Sequence, residues 1–266
     1  MPDHPDAREP VGLHHEVAGD PEAPAVVLLG SLGSELTMWD PQTEALAARF
    51  RVVRADLRGH GGSPAPPGPY ALDDLGTDVI ALLDELGLAH AHLVGLSLGG
   101  MVALWVAAHH PDRVDRLAVL ATSAKLGEPS DWHTRAATVR TEGTDAVADA
   151  VVGRWLTPGY ADANPPLVAR LRRMIVTTPD EGYAGCCEAI AAMDLRQDLA
   201  AVRAPTLAIA AADDPATPPP HLDEIAARIP GAAVAVVDDA AHLCNVEQAG
   251  EVTGLLTRHL TTEGAR

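Results

Sequence analysis

Ser97 lies in Gly95-Leu96-Ser97-Leu98-Gly99, a G-x-S-x-G pentapeptide that follows the apolar run His92-Leu93-Val94. A serine at the tip of a sharp strand-to-helix turn is held in a strained backbone conformation, which is tolerable only where its neighbours are small. Its hydroxyl is then presented at the carboxyl end of a strand, beside a helix amino end that favours negative charge. Such a serine attacks acyl carbon only with a base to take its proton and a carboxylate to orient that base. Two later loops offer both. Asp213-Asp214-Pro215-Ala216-Thr217-Pro218 follows the apolar run Thr206-Leu207-Ala208-Ile209, and Asp238-Asp239-Ala240-Ala241-His242 follows Val234-Ala235-Val236-Val237. Catalytic groups of open α/β sheets gather just beyond the carboxyl ends of strands. The chain order Ser97, acid, His242 fits a nucleophile, orienting acid and base, with either Asp213 or Asp214 able to reach. The oxyanion of the tetrahedral intermediate needs donors. The N–H of Leu98, directly after the nucleophile, is one. Leu32 in Gly30-Ser31-Leu32-Gly33 is the expected second, with Gly33 allowing close approach.

These groups can meet only on a sheet, and the chain supplies one. An edge strand is expected over 11–18, a buried strand at Val26-Val27-Leu28-Leu29, and a helix over 43–49. Val52 to Asp56 is the next strand, followed by Leu57-Arg58-Gly59-His60-Gly61-Gly62-Ser63 and a proline-rich loop. The helix over 72–86 carries Leu72, Leu75, Val79, Leu82, Leu83 and Leu86 on one face and is capped by Gly87. The strand into Ser97, the helix over 98–109 stopped by Pro111, and a strand over 116–120 complete a βαβα rhythm, which implies a parallel sheet covered by helices. From 123 to 194 the rhythm breaks. Helices over 135–150 and 167–176 are expected there, as a helical cap inserted over the sheet. Strands over 206–209 and 234–237 and helices over 221–228 and 246–260 close the chain. The expected division is a core of 1–122 and 195–266 and a cap of 123–194. Residues 1–10 read as a loose leader.

Composition sets limits on partners. The chain has 266 residues, 47% of them apolar, with a single Phe and three Tyr, so Leu, Val and Ala must build the core. Its net charge of −18, from 37 acids against 19 basic residues, argues against nucleic acid and anionic membranes. No run approaches a membrane span and no basic-then-apolar leader opens the sequence, so a cytoplasmic protein is expected. The three cysteines are expected to be reduced, with Cys244 a buried structural thiol. For the eleven histidines other than His242, surface or satisfied core positions are the default.

With the triad candidates in place, the chain resembles the α/β-hydrolase superfamily through Gly95 to Gly99, Asp56-Leu57-Arg58-Gly59-His60-Gly61, Asp214-x-x-x-Pro218 and His242. The resemblance favours Asp214, which opens D-x-x-x-P, as the acid. More narrowly, it is similar to the 3-oxoadipate enol-lactonases. The carriers include Ser31-Leu32-Gly33, Met38-Trp39-Asp40-Pro41-Gln42, Gly153-Arg154-Trp155, Gly182-Tyr183, Met193-Asp194-Leu195-Arg196 and Ala241-His242-Leu243-x-Asn245-Val246-Glu247-Gln248. The similarity runs from about 11 to 256, cap included. Two features depart from the superfamily's habit: Gly30-Ser31 stands for its common His-Gly, and Ala211 or Ala212 for its usual glycine before the acid. A decarboxylase domain, fused to some lactonases, is not expected.

The resemblance implies opening of a small enol-lactone carrying a carboxylate, with no metal or organic cofactor. An anionic substrate must find positive charge in an acidic protein. Segment 123–194 carries six Arg and one Lys against ten acids, only −3 of the −18. Trp132 and Arg135 are one helical turn apart. The expectation is that Arg135 binds the carboxylate and Trp132 walls the ring. A carboxylesterase, a carbon–carbon bond hydrolase, a perhydrolase and a weakly catalytic ligand-binding relative are the competing readings. Oligomeric state is not legible.

Overall fold

Continuous apolar runs make the middle of the sheet in a computed structural model that describes residues 9–262; the leader expected over 1–10 lies, as far as residue 8, outside the described residues. The strands are β1 (His15–Ala18), β2 (Ala25–Leu29), β3 (Arg51–Ala55), β4 (Ala91–Leu96), β5 (Val114–Leu120), β6 (Thr206–Ala211) and β7 (Ala233–Val237). They form one sheet in the order β1-β3-β2-β4-β5-β6-β7, parallel throughout except for β1 against β3. All residues of β2, β4 and β6 are buried, as strands covered on both faces must be. The edge strand β7 leaves Val234 and Val236 exposed.

Helices cover the sheet: α1 (Asp40–Ala47), α2 (Leu72–Glu85), α3 (Leu98–His109), α4 (Pro129–Glu142), α5 (Asp145–Trp155), α6 (Pro158–Ala163), α7 (Pro165–Thr177), α8 (Asp180–Ala192), α9 (Pro220–Arg228), α10 (Cys244–Glu247) and α11 (Ala249–Thr261). The stripe expected on α2 is buried, apart from partly buried Leu86 just past its end. Its first turn is closed by the Asp74 carboxylate, which accepts the Ala71 N–H at 2.8 Å. Apolar on all sides, α3 is buried from Leu98 to Ala107. Because β2 is flanked by β3 on one side and β4 on the other, the strand order reverses there, and the loops after β2 and β4 open a crevice. One carries Leu32, the other Ser97.

Helices α4 to α8 intervene between β5 and β6 and correct the sequence-based expectation in two places. A single helix over 135–150 does not form: Gly143, at φ 82°, ends α4 and lets α5 start in a new direction. Helix α8 lies where no helix is expected, and its Gly182 and Gly185 are poor helix formers. Both are glycine because α8 lies close to the core. A Cβ on Gly182 would stand 2.4 Å from the Gly59 Cα, and one on Gly185 would stand 2.7 Å from the Tyr70 ring. Arg140 of α4 forks to Glu181 and Glu188 of α8 at 2.6–2.9 Å and ties the two helices. The closing helix is likewise broken, at Gln248 between α10 and α11.

His92, in β4, departs from the satisfied-core default. It is buried against Phe50, and its Nδ1 has no hydrogen-bond partner among the described residues. Burial, helped by Arg116, His259 and His90 and opposed by Asp115, pushes its imidazole down to about 4. The unfolded chain therefore binds a proton at this residue between pH 6.5 and 4 that the folded chain refuses. Its contribution is whole above pH 6.5 and is lost as pH falls toward 4, by about 3 kcal/mol. Urea unfolding of native protein and His92→Leu across that interval is expected to show a flatter acid limb in the variant; parallel limbs would refute it.

Candidate active site

The strand-to-helix turn after β4 is closed by backbone contacts that admit no side chain. Ser97 sits at φ 56°, ψ −117°, a region that costs a non-glycine residue about 1–3 kcal/mol. A Cβ on Gly95 would lie 2.1 Å from the Gly99 carbonyl oxygen, and one on Gly99 would lie 2.3 Å from that of Leu29. The turn is pinned on both sides. Ser97 N–H donates to the Leu120 carbonyl at 2.9 Å, and Thr122 Oγ1 donates to the Ser97 carbonyl at 2.7 Å.

His242 follows β7 and Asp214 follows β6. Asp214 Oδ2 accepts from His242 Nδ1 at 2.8 Å, with both side chains buried. Thr217 Oγ1 donates to the same oxygen at 2.7 Å, and the Ala216 and Thr217 N–H groups donate to Oδ1 at 2.8 and 3.2 Å. Burial, the largest influence, raises the Asp214 carboxyl. The His242 charge and hydrogen bond, with the Thr217 and Ala216 donors, outweigh it and bring the group down to about 2. This carboxylate fixes the imidazole with its proton on Nδ1, leaving Nε2 as the acceptor. Asp213 is exposed and reaches neither group. Ser97 and His242 line the same cavity, although no hydrogen bond joins them; such contacts commonly tighten only with substrate bound.

A carboxylate that the sequence reading passed over secures the His242 loop. Buried Glu247 accepts the Ala241 N–H at 2.6 Å on Oε2, and the Thr157 N–H and hydroxyl at 2.9 and 2.7 Å on Oε1. It joins the His242 loop to the helical insert. Leu243 N–H adds a bond to the Trp155 carbonyl at 2.8 Å.

The loop after β2 is held by the Asp56-to-Gly61 motif. Arg58 Nε and Nη2 donate to the Asp78 carboxylate at 2.5 and 2.7 Å, and Asp56 accepts the Leu36 and Gly62 N–H groups at 2.6 and 2.9 Å. Between them His60 is buried. Its Nδ1 donates to the Arg58 carbonyl at 3.1 Å and its Nε2 accepts the Gly33 N–H at 2.9 Å, a pattern only neutral imidazole can make. Burial pushes its basicity down, against the Arg58 carbonyl and Asp56. Among the described residues the N–H groups of Leu32 and Leu98 have no acceptor, so both are free to donate to a ligand. His60→Ala is expected to cut kcat about tenfold while His60→Gln, whose amide oxygen can accept from Gly33, loses less; removal of a whole oxyanion donor costs about 10²–10³. Equal losses in the two variants, measured on an aryl acetate, would contradict this positioning role.

The cavity between the sheet's loops and the insert has a volume of about 310 Å³, at the small end for small-molecule sites. Its apolar wall includes Leu126, Val151, Trp155 and Ile190. Trp132 Nε1 donates to the Leu126 carbonyl at 2.8 Å, and the Arg135 guanidinium lies 5.4 Å from the Trp132 ring and 5.6 Å from that of Tyr183. The turn spacing thus does bring Trp132 and Arg135 together. Two lining groups were missed as site residues. Arg154, in the last turn of α5, is half-buried, and the Tyr183 hydroxyl is buried without a hydrogen-bond partner among the described residues. Neither Arg135 nor Arg154 has a hydrogen bond or ion pair from its guanidinium among the described residues. Burial, then repulsion from Arg135, lowers the basicity of Arg154.

The thiols of Cys186, Cys187 and Cys244 are buried, and burial pushes Cys187 and Cys244 up to about 12, out of reach of thiolate chemistry near neutral pH. Among the described residues no three His, Cys, Asp or Glu side chains gather as a metal site, and no helix is long and apolar enough to cross a membrane.

A family model described as alpha/beta hydrolase fold matches residues 24–249. Over 238 residues the chain is 40% identical to 3-oxoadipate enol-lactonase 2 of Acinetobacter baylyi, covering 90% of this chain and 89% of that one. It is 33% identical to the proposed carbamate hydrolase RutD of a Caulobacter strain, covering 87% and 89%. The crystal structure of the enol-lactonase from Burkholderia xenovorans LB400 superposes with a TM-score of 0.92 at 43% identity, covering 94% and 97%. The seven-stranded sheet, its strand order and this match over most of the chain identify the protein as a member of the alpha/beta hydrolase fold family.

Proposed function

We propose that the protein is a serine hydrolase that opens a small enol-lactone bearing a carboxylate, of the 3-oxoadipate enol-lactone type. The observation that carries the reading is one cavity lined by Ser97, by His242 oriented on Asp214, and by arginines without ion-pair partners among the described residues. The 40% and 43% identities to enol-lactonases add the substrate class.

In the proposed reaction His242 Nε2 takes the Ser97 proton as Oγ attacks the lactone carbonyl, and Asp214 stabilises the imidazolium that results. The carbonyl oxygen becomes an oxyanion held by the Leu98 and Leu32 N–H groups. Collapse of the intermediate breaks the ring C–O bond and expels an enolate, which takes the proton held on His242 Nε2 and becomes the ketone, leaving the imidazole neutral. Water, activated by His242, then cleaves the acyl-enzyme and returns the proton to Ser97. Arg135 holds the substrate's carboxylate, and Trp132 packs on the ring.

The deciding assay follows loss of enol-lactone absorbance, with the unstable lactone generated in a coupled reaction, beside neutral aryl acetates and carbamates. A kcat/KM on the lactone well above that on the others is expected; a reversed order would overturn the substrate assignment. Arg135→Ala is expected to raise KM for the lactone about tenfold or more with a smaller change in kcat, the signature of lost uniform binding. Kinetics equal to native would remove Arg135 from the site.

A further inference from the structure

Two guanidiniums face a cavity whose proposed substrate brings one carboxylate. The chain has 37 acidic residues, yet none pairs with Arg135 or Arg154 among the described residues. Asp131, the lining acid on the insert, is exposed to solvent, whereas both arginines are half-buried. Two like charges in one partly desolvated cavity oppose each other, and a monoanion relieves only one of them.

Their positions differ. Arg135, on α4, is stacked beside Trp132 and Tyr183. Arg154, on α5, lies next to the base: its carbonyl accepts the His242 N–H at 3.4 Å, and its guanidinium interacts with Asp214 as well as Arg135. A third donor waits in the same wall, the buried and unpartnered Tyr183 hydroxyl.

We infer that the cavity is a two-anchor dicarboxylate site, in which Arg135 holds the carboxylate that arrives with the substrate and Arg154 the carboxylate that deacylation creates beside Ser97. The chemistry supplies the second charge. In deacylation the water oxygen bonds to the acyl carbon and the Ser97 Oγ–C bond breaks. One water proton passes through His242 to Ser97, and the acid formed loses its proton to solvent near neutral pH. The product is a dianion in a cavity with two unpaired cations. It is held more tightly than the lactone. This inference rests on the lactone reading for its mechanism, but its test does not.

The test is titration calorimetry of the native protein with adipate, adipate monomethyl ester and hexanoate at one pH and ionic strength. Adipate is expected to bind about tenfold or more tightly than its monoester, the gain of one charge-assisted contact. Arg154→Gln is expected to erase that preference, and Arg135→Gln to weaken all three ligands. Adipate binding no tighter than the monoester in the native protein overturns the proposal, whether or not the variants fold. So does a preference that survives in folded Arg154→Gln. A protein that prefers adipate but does not open the lactone would retain this site and lose the proposed function. One that opens the lactone without preferring adipate would do the reverse.

Discussion

Ser97→Ala is expected to lower kcat on any ester or lactone substrate by about 10⁵- to 10⁶-fold, the scale on which loss of a serine nucleophile acts. The change removes one oxygen from a side chain that makes no hydrogen bond among the described residues. It leaves the backbone at φ 56°, a conformation alanine likes no better than serine. The thermal midpoint is therefore expected to stay close to native, which separates lost chemistry from lost fold. Retention of more than about one per cent of native kcat, against that expected loss, would exclude Ser97 as the nucleophile.

The second large effect separates two adjacent acids. Asp214→Asn is expected to cost about 10⁴ in kcat, because the amide can donate where the carboxylate only accepts and so permits the wrong imidazole tautomer. Asp213→Asn changes an exposed group and is expected to leave kcat within about twofold of native. If the two losses came out equal, the orienting acid would be elsewhere. The pH dependence supplies a second check. Asp214 titrates near 2 in the folded chain against an ordinary 3.8, so it stays ionised through mildly acid conditions. Its contribution to stability is complete above about pH 4 and is lost as pH falls through 2. The limb assigned to His92 lies higher, between 6.5 and 4. Acid inactivation above pH 4 is thus not expected to report on Asp214.

The sheet was legible because its strands are short apolar runs bounded by turn residues, and such runs have few alternatives in an alternating α/β chain. Strand β4 and helix α3 fall within a residue of where the sequence places them. The helical insert was legible as helical but not in its divisions. Gly143 was indistinguishable from a tolerated mid-helix glycine, and α8 was hidden because the residues that bring it close to the core are poor helix formers. Within the site, Asp214 and Asp213 stand side by side in the same loop, and only the direction of the chain through Pro215 decides which is turned inward. Arg135 announced itself by its spacing from Trp132. Arg154 did not, because its partners in the cavity are on other elements and no pattern along α5 points to them. His60 belonged to a motif quoted for resemblance, and its bond to Gly33 crosses 27 positions in sequence.

The near-touch of backbones at Gly59 and Gly182 has a consequence for how such a catalyst can change. The distance of α8 from the loop after β3 is set where two main chains meet, beside Tyr183 in the cavity wall and His60 behind the oxyanion loop. A lone methyl at either point has to push α8 outward, and with it Tyr183 and Ile190 of the cavity wall, while the strand-end loops beneath remain as they were. Residues facing the chamber are free to be exchanged for new shapes and charges. The two bare positions beneath α8 are its spacer, and they set how large a guest fits.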